Sequence, residues 1–416
     1  MSERSGGKKR KRIVIVGGGA AGFFAAISCA QADPTADISL FEKSSQFLGK
    51  VRISGGGRCN VTHSCFEPRA LSQRYPRGER ALISAFNRFQ PTDTIEWFAQ
   101  RGVKLKTEAD GRMFPVTNSS ETIIECLLEE ARRHRVKLFI KQGVESAVRE
   151  SNGEFSLTLT NGEALTCDAL LLASGGCRTP TAGKLAESLG HSIIDPVPSL
   201  FTFHIETKWL KQLPGVAVES VEAEVPGTGL RERGPLLVTH WGLSGPVILR
   251  LSAWGARTLS EKDYRFPLRV HWLPDLTAEA ITSLLQKQRE TQSAKLILNT
   301  PLAGLPSRLW DELVKLAGIT ADTKWNQLPR AGAQQLAALL HSTEFPVTGK
   351  SLNKDEFVTC GGVPLKEVDF KTMVSRICPG LYFAGEVLDV DGITGGFNFQ
   401  AAWTTGWIAG NAMAEN

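Results

Sequence analysis

Between Arg12 and Glu42 the sequence spells a strand, a glycine turn, a helix and a second strand ending in an acid, an order that few folds accept. Arg12, Ile13, Val14, Ile15 and Val16 form a short β-branched run, and Gly17 to Gly22 then match G-x-G-x-x-G. In that pattern Gly17 permits the tight turn, Gly19 lets the backbone approach a pyrophosphate, and Gly22 lets the helix from Ala21 to about Ala30 pack closely on the strand. Ala20 and Ala21 open that helix, where free N–H groups and the dipole favour an anion. A second strand, Ile38 to Phe41, delivers Glu42, followed by Lys43, to the place where a carboxylate accepts the hydroxyls of an adenosine ribose. The expectation is a Rossmann-like dinucleotide site.

The same stretch has a rival reading. Lys8 to Arg12 precede a mostly apolar run ending in Cys29, Ala30, Gln31 and Ala32, the outline of a secretory signal with a small-residue cleavage site. On that reading the glycines and Glu42 are accidents, and loss of the first 32 residues from the mature protein is its signature.

At 416 residues the chain has room for two or three domains. With 42% apolar and 22% charged residues, wholesale disorder is excluded. No other stretch reaches the length of apolar residues that spans a bilayer, so no membrane contact is expected. The net charge of +5 permits a polyanionic partner without demanding one. Cysteines at 29, 59, 65, 126, 167, 177, 360 and 378 show neither C-x-x-C nor zinc spacing. Reduced thiols in the cytoplasm and no metal site are the simplest account.

After Glu42 the run Gly49 to Asn60 contains Lys50, Ser54, Gly55, Gly56, Gly57, Arg58, Cys59 and Asn60, and reads as a loop pressed against a flat or anionic ligand, or as a plain flexible loop. Arginines at 69, 74, 77, 80 and 88 interleave with Tyr75, Phe86 and Phe89: a stripe to steer phosphates and stack a base, or a solvated helix face. Strands are expected at Val136 to Ile140, Val144 to Arg149, Phe155 to Thr160 and Ala169 to Leu172, with turns at Asn152-Gly153 and Asn161-Gly162. Ala173, Ser174, Gly175 and Gly176 then end an apolar strand that returns to the first sheet.

From Pro198 to about Pro346 an insertion is expected, β-rich to about Trp272 and helical over Ala278 to Glu290, Ser307 to Ala317 and Gly332 to His341. Its segment Thr239 to Pro246 offers His240 and Ser244 to a substrate, or a structural loop histidine. No second G-x-G-x-x-G occurs, which argues against a dedicated nicotinamide domain. The boundaries expected are a basic tail 1–11, a nucleotide domain 12–198, a β-rich insert 199–274, a helical insert 275–350 and the returning part of the first domain, 351–416. In that last part Phe357 to Val363 carries Cys360, a strand Gly380 to Ala384 leads to Gly385, Glu386 and Asp391, and Gly396, Phe397, Asn398 and Gln400 open a closing helix to Met413.

Ile53 to Asn60, Thr239 to Pro246 and Pro379 to Gln400 together resemble the BaiN/YhiN (RdsA) family of FAD-dependent oxidoreductases, which includes ribosomal RNA dihydrouridine synthase, over nearly the whole chain. The resemblance implies an α/β, Rossmann-like FAD-binding domain of the glutathione-reductase/fumarate-reductase type, interrupted by a β-barrel and a helical subdomain. It places FAD against Gly17 to Gly22, Glu42, Lys43, Lys50, Ser54 to Asn60, Val144, Ala173 to Gly175, and Gly385, Glu386, Asp391 and Gly396 to Gln400. One departure stands out: Thr181, Ala182, Gly183 and Lys184 occupy the place of the family's glycine- and serine-rich loop.

Two substrate classes are implied, a uridine in 23S ribosomal RNA and a small steroid-like enone, with NAD(P)H as electron donor. Either takes a hydride at a polarised C=C bond and then a proton. Cys59 and Cys360 are candidate acids, Cys59 being equally a packing residue, and Arg58 a group to polarise a carbonyl or hold a phosphate. An RNA partner would meet the basic tail and the arginine stripe, Arg74 and Arg77 included.

Overall fold

The central strand Arg12–Val16 runs parallel to Asp37–Glu42 on one side and Ala169–Leu172 on the other. The computed structural model describes residues 10–177, 180–351 and 358–415, so most of the basic tail lies outside the described residues, as does Phe357. Seven strands make this sheet, in the order Val368–Asp369, Val374–Ser375, Leu381–Phe383, Ala169–Leu172, Arg12–Val16, Asp37–Glu42, Lys137–Ile140. The strand expected at 380–384 is thus supplied from near the end of the chain and pairs in parallel with Ala169–Leu172. Val14, Ile15, Leu170, Leu171 and Leu172 are all buried, as a sheet covered on both faces requires.

The first helix, Ala20–Ala32, is buried along Ala20 to Ala30 because a second helix, Phe397–Glu415, lies against it. Their approach is close enough to need glycine. A Cβ on Gly406 would stand 2.5 Å from the carbonyl oxygen of Ala21, and one on Gly410 2.4 Å from that of Ala25. At the far end Lys11 Nζ donates to the carbonyl of Met413 at 2.7 Å, satisfying a free acceptor of the helix terminus.

Val144–Arg149, Phe155–Leu159 and Ala164–Cys167 form a separate antiparallel sheet. Its turns are closed by side chains, Asn152 Oδ1 accepting from Glu154 N–H and Asn161 Oδ1 from Glu163 N–H. The chain divides into two compact units, 1–198 with 354–416, and 199–353.

The second unit is a closed barrel of six strands, ordered Phe203–Ile205, Gly242–Ser244, Leu230–Thr239, Ala217–Val225, Phe266–His271, Thr343–Lys350. Its last strand follows the helices Ala278–Thr291, Ser307–Leu316 and Arg330–His341, so barrel and helices share one chain segment. A further helix, Pro246–Trp254, stands in the stretch read as β-rich; proline at its first position and buried Val247, Ile248 and Leu251 explain it. Trp272, Trp310 and Trp325 are fully buried, and each indole N–H donates to a protein oxygen at 2.7–2.8 Å.

Candidate functional site

The glycines of the first turn divide into two kinds. Gly17 has φ +113°, and a Cβ there would lie 2.3 Å from the Ala173 carbonyl oxygen; a Cβ on Gly22 would lie 2.0 Å from that of Gly17. Both are glycine because the fold leaves no room. Gly19, with φ −92° at the head of the first helix, is the opposite case, since a Cβ there would meet nothing within 4 Å. Open space of the same kind surrounds Gly56, Gly57 and Gly175, all with positive φ. Beside them the Ser174 hydroxyl is buried without a hydrogen-bond partner among the described residues.

Glu42 accepts from Gly18 N–H at 2.8 Å and from Ser44 N–H at 2.7 Å, one bond to each oxygen. A carboxylate has about four acceptor positions, so two remain for ribose hydroxyls. Lys43 packs beside Gly143, whose added Cβ would lie 3.2 Å from the lysine Cβ, and Val144 follows, buried.

Gly49 to Ile53, expected as loop, is a helical turn, and the chain breaks out of it at Ser54 (ψ 148°) into left-handed Gly55 and Gly56. Three successive positive φ angles at Gly55, Gly56 and Gly57 explain the triple glycine. Lys50 pairs with Glu386, and Glu386 also accepts from Thr359 N–H at 2.8 Å. Gly176 lies against both, its Cβ position being 2.2 Å from Thr359 Oγ1 and 2.9 Å from Glu386 Oε1. Lys50, Gly176, Thr359 and Glu386 thus meet although 336 positions separate the lysine from the glutamate.

The catalytic candidates are less open than their motif suggests. Cys59 is fully buried in a left-handed conformation (φ 60°), and burial pushes its thiol up to about 12 against the opposing hydrogen bond with Ser54. Cys360 is fully buried in the strand Val358–Gly362. Arg58 reaches Glu108 at 2.6 Å and lies 4.0 Å over the Phe114 ring.

Several residues expected to touch ligand have their side chains bound within the protein. Asp391, fully buried, takes Arg77 in a two-pronged ion pair, with Arg77 Nε at 2.5 Å from Oδ1 and Nη2 on Oδ2. That corrects the reading of Arg77 as a phosphate-facing stripe residue. Tyr75, Phe86 and Phe89 are buried, so they build the core rather than a platform for a base, while Arg69, Arg74, Arg80 and Arg88 are exposed. The Asn398 amide closes the loop back onto Gly392 N–H and C=O at 2.8 and 2.9 Å. Gln400 Oε1 accepts from Thr62 and Thr94 hydroxyls at 2.6 and 2.9 Å. Asn60, with its amide oriented to suit its neighbours, bridges Thr62 C=O and Gly396 N–H at 3.1 and 3.0 Å.

One neighbour escaped the sequence reading. His63 follows Asn60 by three residues and stacks on Phe397, ring centroids 4.7 Å apart at 22°. Adjacency to the glycine motif was its only signal. In the second unit His240 and Trp241 form the exposed two-residue turn between the paired Thr239 and Gly242, and the Ser244 hydroxyl bonds that of Thr202 at 2.8 Å.

The first unit's residues fit FAD. Gly19, Gly56, Gly57 and Gly175 leave space that a side chain would fill, Glu42 keeps two acceptor positions, and the Ser174 hydroxyl lacks a partner among the described residues. Among the described residues no helix is long and apolar enough to cross a membrane.

Comparison with known proteins agrees with that geometry. The family described as HI0933-like protein Rossmann domain matches residues 11–412. The chain is 34% identical to a ribosomal RNA dihydrouridine synthase of Escherichia coli, over 86% of this chain and 87% of that protein. It is 30% identical to a 3-dehydro-bile acid delta(4,6)-reductase of Clostridium scindens, over 95% and 97%. Among solved structures, 3-ketosteroid delta1-dehydrogenase of Sterolibacterium denitrificans shares the fold, with TM-score 0.53 at 13% identity over 97% of this chain and 99% of that one.

Proposed function

This chain belongs to the HI0933-like Rossmann family and is an FAD-dependent oxidoreductase, and from that premise we propose that it reduces a uridine of 23S ribosomal RNA to dihydrouridine. Bound FAD supplies the hydride for a conjugated C=C bond, with NAD(P)H as the source of electrons. Gly17, Gly19, Ala20, Ala21 and Gly22 hold the diphosphate at the helix head, and Glu42, Lys43 and Val144 the adenosine. Lys50, Ser54 to Asn60, Ala173 to Gly175, Gly385, Glu386, Asp391 and the Gly396–Gln400 turn enclose the flavin half, Asp391, Asn398 and Gln400 by shaping backbone rather than by side-chain contact.

A hydride at position 6 of uracil leaves charge that is quenched by a proton at position 5. Cys59 and Cys360 remain the thiol candidates, and the full burial of Cys59 favours its packing role. Arg74, exposed, suits a phosphate, and Arg58, held to Glu108 through Nη1, keeps further N–H groups for a carbonyl or phosphate. His240 and Ser244 are proposed to meet the substrate.

The observation that carries the RNA reading is the 34% identity to the Escherichia coli dihydrouridine synthase across most of both chains. The 30% identity to the bile-acid reductase supports a second reading, a small steroid-like enone as substrate. The deciding experiment is the dihydrouridine content of 23S rRNA from cells lacking the gene, with and without purified protein and NAD(P)H. Unchanged content, together with NAD(P)H oxidation stimulated by soluble enones, selects the small-molecule reading. RNA affinity that stays flat as salt rises counts against an RNA substrate.

A further inference from the structure

The turn His240–Trp241 joins two barrel strands and carries the most exposed large apolar side chain among the described residues, Trp241, 60% open to solvent. In the same unit Trp272, Trp310 and Trp325 are buried with their indole N–H groups bonded, whereas that of Trp241 has no partner among the described residues. The aromatic neighbour of its ring is His204, with centroids 6.4 Å apart at 57°, an oblique contact that leaves a flat face uncovered.

The backbone beneath that ring is held firmly. The Trp241 carbonyl accepts from Ile205 N–H at 2.9 Å, and Thr239 Oγ1 accepts from Trp241 N–H at 3.3 Å. Gly242, at φ +142°, lies so close to the neighbouring strand that a Cβ there would stand 2.3 Å from the Phe203 carbonyl oxygen. An aromatic on a fixed backbone needs little ordering when it meets a partner, since only its two side-chain torsions remain to be set.

Cations border the same turn. The segment Glu206 to Gly215 starts beyond Ile205, which is bonded to Trp241, and ends with Gly215 N–H donating to the Val238 carbonyl at 2.9 Å, so both its ends abut the hairpin. It contains Lys208 and Lys211, both exposed, and one acid, Glu206. Lys208 lies three positions beyond Ile205, hence within about 11 Å of it. Neither ammonium pairs with a carboxylate among the described residues. Lysine is depleted from protein–protein interfaces, whereas an open aromatic face beside cations is how single-stranded nucleic acid is held, base on ring and phosphate on ammonium.

We propose that this end of the barrel is an RNA-binding surface, on which Trp241 stacks an unpaired base and Lys208 and Lys211 meet neighbouring phosphates; the inference rests on the RNA reading given above. The test is fluorescence anisotropy of a labelled oligouridine of about 12 nucleotides, with 23S rRNA as competitor, on FAD-loaded protein. Trp241→Ala is expected to bind at least about fivefold more weakly, the scale of one lost base stack, and Trp241→Phe, which keeps a ring, within about threefold of wild type. Replacing Lys208 and Lys211 by serine should make the fall of log affinity with log salt shallower by about 0.7 for each lysine removed. Trp254, 41% exposed at the end of the helix Pro246–Trp254, is the control, and Trp254→Ala should bind as wild type does. Wild-type affinity in Trp241→Ala overturns the proposal, as does an equal loss in Trp254→Ala. If RNA affinity is unchanged and Trp241→Ala instead self-associates less in sedimentation, the surface serves a second copy of the chain and the proposal falls. Wild type that binds neither oligouridine nor 23S rRNA at low salt removes the RNA reading itself, a result distinct from these.

Discussion

Gly19→Ala and Gly22→Ala change the same atom in one motif, yet the structure assigns them opposite consequences. At Gly22 the new methyl would lie 2.0 Å from the Gly17 carbonyl oxygen, where the first helix meets the backbone of the turn. Neither helix nor strand can yield without opening the parallel ladder, and overpacking of this kind costs about 1–3 kcal/mol or more. At Gly19 no protein atom lies within 4 Å and φ is −92°, which alanine adopts freely. Restricting the unfolded chain there contributes about 0.4–1 kcal/mol of stability. Alanine is a poorer helix cap than glycine by a similar few tenths to about 1 kcal/mol. The two terms offset, and net stability of the apoprotein stays within about 0.5 kcal/mol of wild type.

What Gly19→Ala loses is the ligand. A methyl in the cradle separates diphosphate from the backbone N–H groups, and FAD affinity is expected to fall at least about tenfold, or about 1.4 kcal/mol. Urea denaturation of apoprotein reads the first quantity, and fluorescence titration with FAD the second. Gly19→Ala with wild-type FAD affinity would falsify the assignment of this turn to the diphosphate, whatever its stability.

Arg77→Ala removes the two-pronged ion-pair partner of the fully buried Asp391 carboxylate, for which a loss of about 3–5 kcal/mol in urea denaturation is expected; Arg77→Met with Asp391→Leu should lose less than either single change implies. If Arg77→Ala instead left stability intact and lowered only RNA affinity, the ion pair would not be structural. Cys59→Ala, made in FAD-loaded protein, should keep turnover within a few-fold, because a general acid contributes about 10²–10⁴ and this thiol has no accessible surface; a loss of that size would restore it as proton donor. Acid should loosen the sheet edge at His191, whose Nδ1 bonds Glu367 at 2.8 Å and Nε2 bonds Ser375 at 2.7 Å. Burial outweighs Glu367 and holds the imidazole low, while hydrogen bonds from Ser192 and His191 hold the Glu367 carboxyl low despite its burial. Both folded-state values lie below the unfolded ones, so the stabilisation is complete above about pH 6.5 and is lost as pH falls, His191 first and then Glu367 below about pH 4.3. Midpoints of urea denaturation measured across that range should decline, less so in His191→Asn; a flat profile would refute the assignment.

Local signals carried the fold well. The turn at Gly17 to Gly22, the Asn-Gly turns near 152 and 161 and the three inserted helices each write their geometry into neighbouring residues. The open positions were legible for the same reason, since the space at Gly19, Gly56, Gly57 and Gly175 is left by a backbone without side chains. Side-chain roles fared differently. The Arg77–Asp391 pair spans 314 positions, and no local pattern tells a buried guanidinium from one waiting for phosphate. The break inside Gly49–Gly57 and the barrel-closing strand Thr343–Lys350 were likewise hidden, the first because helix and left-handed turn share one short run, the second because its pairing partners lie far away in sequence.

The glycine-lined contact between the first and last helices has a consequence for biosynthesis. Ala32 leaves the ribosome 365 residues before Phe397, a delay of roughly 20–70 s at about 5–20 residues per second. For that interval the greasy face of Ala20–Ala32 has no mate, and the growing polypeptide must shelter it through transient collapse or a chaperone. Cutting the delay by circular permutation, with the last helix translated first, should therefore raise the yield of soluble protein.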